Sequence, residues 1–144
     1  MSLQYTINNT RSKIVNQKHE LLNKLTALKT STRKEIVNRI NSGKEFIDMS
    51  FLQNPDIMSV ARQSNMSVFH FYRCFKQVHG ISPYQYMLGK RLEYARELLM
   101  ERTLLISGIA IKCGFPDVFT FSKAFKRKYG VSPSKFFAEA SKAS

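Results

Sequence analysis

Ser67–Tyr86 reads SVFHFYRCFKQVHGISPYQY, and Asp117–Phe136 reads DVFTFSKAFKRKYGVSPSKF. Offset by 50 residues, the two stretches align: Phe71/Phe121, Arg73/Lys123, Phe75/Phe125, Lys76/Lys126, Gly80/Gly130, Ser82/Ser132, Pro83/Pro133 and Tyr86/Phe136. Upstream the offset is 49, as in Ile57/Ile106, Val60/Ile109 and Ala61/Ala110. Each copy therefore holds two helical pieces joined by a turn, and the second turn is one residue longer. Kelch blades need strands, and helical solenoids need three or more repeats. A pair of helix-turn-helix units needs only one copy per contact: the first helix braces the second, whose N-terminal half enters the major groove.

Punctuation residues set the remaining boundaries. Asp56 can cap a helix over about Ile57–Gln63, Ser67 one over Val68–His79, and Asp117 one over Val118–Tyr129. Gly80 and Gly130 stop the latter two where a left-handed residue is needed. Ser82-Pro83 opens a long helix to about Arg102, and Ser132-Pro133 one to about Ala140. Ile106–Cys113 forms the remaining helix, followed by the turn Gly114-Phe115-Pro116. Upstream, Thr32 and Glu35 have capping-box spacing, predicting a helix over Arg33–Met49 with Ile36, Val37, Ile40 and Ile47 on its apolar face. Residues 1–12 read as a loose leader and Lys13–Lys29 as a separate helix with the stripe Ile14, Leu21, Leu25 and Leu28. That stripe fits a helix packed on its own domain; a dimerising coiled coil usually has more heptads. No strand pattern occurs. The expected fold is all-α: a leader and linker helix over 1–32, then 33–140 as two helix-turn-helix subdomains (33–82 and 103–140) on a connecting helix (83–102).

The charge narrows the partners. There are 23 Lys and Arg against 10 Asp and Glu, a net charge of +13. A field of that sign attracts polyanions. No apolar run approaches ~18 residues, which speaks against a membrane span. The N-terminus lacks an apolar signal core, and Cys74 and Cys113 stand alone, so the expected compartment is the reducing cytoplasm. His19, His70 and His79 share no metal-ligand spacing with either cysteine, so neither metal nor cofactor is expected. No nucleophile sits in a motif with a base, so the chain does not read as an enzyme. Cys74 aligns with Ala124 and reads as a small buried residue.

The repeated second helices sort into two faces. Phe71, Cys74, Phe75 and Val78 form the inward stripe of the first; Phe121, Ala124, Phe125 and Lys128 take the matching places in the second. The outward faces begin with Phe69, Tyr72, Arg73 and Lys76, and with Val118, Phe119, Ser122, Lys123 and Lys126. No Asp or Glu lies between Asp56 and Glu93, or between Asp117 and Glu139, and each stretch carries five Lys or Arg. A solvated helix face normally mixes signs, so an acid-free basic face points to phosphate. Lys76, Lys126 and Arg127 are the expected phosphate clamps. Phe115 and Phe136 are expected in the core. Gly89 lies inside the connecting helix, where glycine costs up to ~1 kcal/mol against alanine, and suggests close packing or a slight flex.

The series Gly114-Phe115 … Phe121 … Phe125-Lys126-Arg127 … Gly130-Val131-Ser132-Pro133 … Phe136 resembles the signature of the AraC/XylS family, and Lys90-Arg91-Leu92-Glu93-Tyr94-Ala95 with Leu98-Leu99 resembles its connecting helix. The likeness covers about Arg33–Phe137. It implies a seven-helix DNA-binding domain acting in bacterial transcription, with double-stranded DNA and RNA polymerase as partners. By that resemblance the groove-facing residues are Phe69, Tyr72 and Arg73, then Val118, Phe119, Thr120, Ser122 and Lys123. Apolar groups at several of these places touch thymine methyls but form no bidentate pair with a base. The expected function is a sequence-specific regulator with its two reading helices about one helical turn (~34 Å) apart on a site of about 20 bp. It is expected to be the C-terminal domain of a larger signal-responsive protein that dimerises through its N-terminal region or an upstream domain. The rival reading is a non-specific basic protein that coats DNA or RNA. Phe69, Tyr72 and Arg73 against Val118, Phe119 and Lys123 are expected to differ between the halves and so to read an asymmetric site.

Overall fold

A computed structural model of the protein describes residues 2–143, and no strand occurs among them. The chain divides into two compact units, Met1–Asn38 and Arg39–Ser144. Helix α1 (Ser2–Ser50) belongs to both; a 3-10 turn (Phe51–Gln53) follows. The second unit continues with α2 (Ile57–Gln63), α3 (Val68–His79), α4 (Pro83–Glu101), α5 (Ile106–Lys112), α6 (Val118–Tyr129) and α7 (Pro133–Lys142). The all-α fold, with two helix-turn-helix units on one long helix, is the architecture expected from the sequence.

The caps act where the residue types placed them. Asp56 accepts from Ser59 N at 2.6 Å, Ser67 from His70 N at 3.3 Å and Asp117 from Thr120 N at 2.6 Å. Ser82 and Gln85 close a reciprocal capping box at 3.1 and 3.0 Å, with Pro83 at the first helical position. Gly80 and Gly130 end α3 and α6 at φ 77° and 80°.

The N-terminal expectations need correction. Neither a loose leader nor a break at Thr30-Ser31-Thr32 is present: α1 is continuous from Ser2, and Thr32 is an interior residue, not a cap. The first glycine is Gly43 and the first proline Pro55, so nothing upstream interrupts the ladder. The threonines that read as breakers bond back along the helix instead. Thr30 Oγ1 donates to the Thr26 carbonyl at 3.0 Å and Thr32 Oγ1 to that of Leu28 at 2.9 Å. Bonded in this way, Thr and Ser are tolerated inside a helix. Within the first unit the stripe Ile14, Leu21, Leu25 and Leu28 is exposed along its length, not covered.

In the second unit the repeat builds two aromatic cores. Phe71 and Phe75 lie at a ring separation of 5.5 Å, Phe121 and Phe125 at 5.7 Å, and all four are fully buried. Each such burial stabilises by about 1.5–3 kcal/mol. Leu92, Leu98, Leu99, Ile109, Cys113 and Phe115 complete the second core, and Phe136 packs half-buried against it. Ile40 and Ile47 carry α1 into the first half, whereas Val37 is exposed. Helix α4 contacts α3, α5, α6 and α7, so it holds both halves. Val78, expected inward, is exposed because α3 closes on Phe71, Cys74 and Phe75. Lys128, its counterpart, reaches across to α4: Nζ donates to the Gly89 carbonyl at 3.2 Å and pairs with Glu93 at 3.4 Å. Gly89 thus sits under a lysine from α6.

Candidate nucleic-acid interface

The turns before α3 and α6 are built alike. In both turns a backbone N–H returns to the same carbonyl of the preceding helix: Met66 N to Ala61 O at 3.1 Å, and Phe115 N to Ala110 O at 3.0 Å. Asn65 and Gly114, one residue earlier in each turn, take left-handed φ values of 52° and 82°. The offset of 49 therefore persists through Phe115, and the extra residue of the second turn is Pro116, just before the Asp117 cap. Asp117 stays ionised: the N–H of Thr120 holds its carboxyl below the usual range. The matching cap on α3 is the neutral Ser67.

With the aromatic stripes turned inward, Phe69, Tyr72, Arg73 and Lys76 are exposed together on α3, and Val118, Phe119, Thr120, Lys123, Lys126 and Arg127 on α6. Ser122 is half-buried. Phe69 is 77% exposed and Phe119 75%, values that set them apart from every other phenylalanine in the described chain. Each carries a cation over its ring: Arg73 Cζ lies 6.0 Å from the Phe69 centroid, and Lys123 Nζ 5.9 Å from that of Phe119. Phe69, Tyr72, Arg73, Lys76 and Gln77 also frame a shallow hollow of about 390 Å³ on α3.

This geometry corrects the expected contrast between the halves. Val68-Phe69 and Val118-Phe119 are the same dipeptide at the offset of 50, so Phe69 and Phe119 are equivalents. Outer positions that differ in chemical type include His70 against Thr120, Tyr72 against Ser122 and Gln77 against Arg127.

The cations of the acid-free stretches are not all alike. Lys90 faces Asp48 at 3.6 Å, and Lys128 is tied to α4. Arg91, which the charge pattern counted with the basic face, is 5% exposed. Its Nε donates to the Phe51 carbonyl at 3.0 Å, and its second nitrogen reaches Asn54 Oδ1 and the Met87 sulfur. Burial lowers the pKa of its guanidinium, yet arginine remains charged at any physiological pH. Arg91 thus pins α4 to the turn after α1, a role that charge alone does not separate from phosphate contact. The exposed cations left on α3 and α6 are Arg73 and Lys76, then Lys123, Lys126 and Arg127.

Among the described residues no group of three His, Cys, Asp or Glu could hold a metal ion. No described helix is long and apolar enough to cross a membrane.

Two helix-turn-helix units on one connecting helix, each with an acid-free basic outer face on its second helix, define a helix-turn-helix DNA-binding domain. A family model described as "Helix-turn-helix domain" matches residues 60–139, from α2 into α7. The C-terminal domain of AraT, a response regulator from Geobacillus stearothermophilus, superposes with a TM-score of 0.65 at 32% identity, over 70% of this chain and 84% of that one. The chain belongs to the AraC/XylS family of helix-turn-helix DNA-binding transcription regulators. Among curated proteins it is 43% identical over 82 residues to the probable transcriptional regulator LumQ of Photobacterium leiognathi, 55% of this chain and 33% of that protein. The chain spans about a third of the length of the curated relatives it matches. The DNA-binding domain of AdpA, solved in complex with a target DNA, is similar at 25% identity with a TM-score of 0.62, over 68% of this chain and 91% of that one.

Proposed function

We propose that this chain is the sequence-specific DNA-binding part of a transcription regulator, and that α3 and α6 enter successive major-groove segments on one side of the duplex. The observation that carries this reading is the doubling of one exposed constellation on two braced helices: aromatic, cation and acid-free flank, at equivalent positions. Base contacts fall to Phe69, Tyr72, Arg73, Val118, Phe119, Thr120, Ser122 and Lys123. Phosphate contacts fall to Lys76, Lys126 and Arg127. Base edges specify, whereas phosphates position and supply most of the affinity. The site then spans about 20 bp, with its two segments ~34 Å apart.

The larger context belongs to the same proposal. Curated relatives of which the matched segment makes up only about a third support a C-terminal domain of a signal-responsive regulator, whose remaining partners are RNA polymerase and a second copy of the protein. The exposed apolar stripe of α1 supports dimerisation through the N-terminal region.

Hydroxyl-radical footprinting tests the two-headed mode. Two protected segments about one helical turn apart are expected; one short segment refutes it. Competition with random duplex tests specificity, since a true site is preferred by ~10³-fold or more. Equal affinity for every duplex means a coating protein instead.

A further inference from the structure

Phe69 and Phe119, equivalent in the two halves, bear on which bases a sequence-specific domain of this kind reads. A phenylalanine three-quarters exposed is unfavourable in water unless something covers it. Here it recurs at the second residue of both reading helices, in the N-terminal half that faces base edges. A phenylalanine at that place cannot hydrogen-bond a base; what it can cover in the major groove is the 5-methyl group of thymine. Four residues on, Arg73 or Lys123 lies over the same ring, so the cation is held beside the apolar contact. Its donors suit the O6 and N7 acceptors of guanine. Val68 and Val118, both 39% exposed, widen the apolar edge equally in both copies.

We infer that the two helices read one chemical element twice: a thymine methyl with a neighbouring guanine recurs in both segments of the site, about one helical turn apart. Among base contacts the asymmetry falls to Tyr72 and His70 in one segment and Ser122 and Thr120 in the other, and Gln77 against Arg127 adds a cation to the second. A duplex contacted by a single chain therefore contains an internal repeat with differing flanks, not two unrelated halves. The inference rests on the two-headed reading proposed above.

The test is selection of bound duplexes from a random pool with the full chain, followed by replacement of the selected thymines by deoxyuridine, which removes only the methyl. The expected result is two enriched segments that share a thymine–guanine element. With the unchanged protein, each thymine replacement should weaken binding by about fourfold, the factor equivalent to about 0.8 kcal/mol for one buried methyl. Phe69→Ala should abolish the uridine effect in one segment only, and Phe119→Ala in the other. Both side chains lie outside the core, so the variants should fold, and the measurement on the unchanged protein needs no variant. Two enriched segments with no shared element, or a site indifferent to uridine, overturn the inference while leaving the two-headed mode intact. No enrichment, or a single enriched segment, overturns both.

Discussion

Replacing Gly43 by alanine should destabilise the second unit, although glycine-to-alanine changes inside helices normally stabilise by up to ~1 kcal/mol. An added Cβ would lie 2.4 Å from Ser64 Oγ and 2.5 and 2.8 Å from Cε2 and Cζ of Phe71. Neither neighbour can yield cheaply. Phe71 is fully buried, Ser64 is 2% exposed, and the Phe71 ring abuts Phe75 at 5.5 Å. Overpacking of this kind costs about 1–3 kcal/mol, and three contacts this close place Gly43 at the upper end. Subtracting the propensity gain of about 1 kcal/mol leaves a net loss of about 2 kcal/mol. For a domain of this size that is a fall in Tm of about 10 °C. Gly108 and Gly89 serve as controls. A Cβ at Gly108 meets nothing within 4 Å, and at Gly89 only the flexible end of Lys128 at 3.5 Å. Alanine at either should stabilise by up to ~1 kcal/mol. Thermal melts of the three variants decide: if G43A melts at or above the unchanged protein, the close seating of α1 on Phe71 is wrong.

Three further outcomes are expected. Lys126→Ala should weaken binding alike for all duplexes and flatten the slope of log K against log salt by ~0.9; an unchanged slope removes Lys126 from the phosphate contacts. Burial pushes the Cys113 thiol up to about 11, so it should resist alkylation at pH 8 in the folded protein and react after unfolding, as counted by mass spectrometry; rapid native labelling contradicts its burial. Burial raises the Asp48 carboxyl, but hydrogen bonds from Tyr86 at 2.5 Å and Lys44 at 3.1 Å outweigh it and hold the pKa below the ordinary value. A carboxyl depressed in the folded state contributes fully above its unfolded pKa of about 3.9, and that contribution is lost as pH falls through the folded value. Asp48→Asn should therefore be less stable at pH 7 and lose less of its stability on acidification; parallel pH–stability curves for the two proteins contradict the pairing.

The limits of the sequence reading have physical causes. Caps and stops are local chemistry, so Asp56, Ser67, Ser82-Pro83, Gly80 and Gly130 could be read directly, and the bounds of α2, α3 and α6 coincide with them. Thr30 and Thr32 could not be read in this way, because a threonine hydroxyl serves equally as an N-cap or as a donor to the carbonyl four residues back. The outer faces of α3 and α6 followed from the buried stripes. Whether a given cation points outward did not, since charge alone does not distinguish Arg91 from Arg73. The signal for Arg91 was its place on the apolar side of α4, with Leu92, Ala95, Leu98 and Leu99. The pairing of Phe69 with Phe119 was present in the alignment, but it stood out only once both were seen exposed amid buried aromatics.

The Arg91 anchor has a consequence for how the domain meets changing solution conditions. Its hydrogen-bond partners are a carbonyl oxygen, an amide oxygen and a thioether; no carboxylate is among them. Counterions compete with exposed ion pairs but have little purchase on a cation buried among neutral dipoles. Ionic strength that strips such a protein from a polyanion should therefore leave the joint between α4 and the turn after α1 in place. Release from the duplex and loss of shape should then be uncoupled, so that the domain leaves and returns without rebuilding itself.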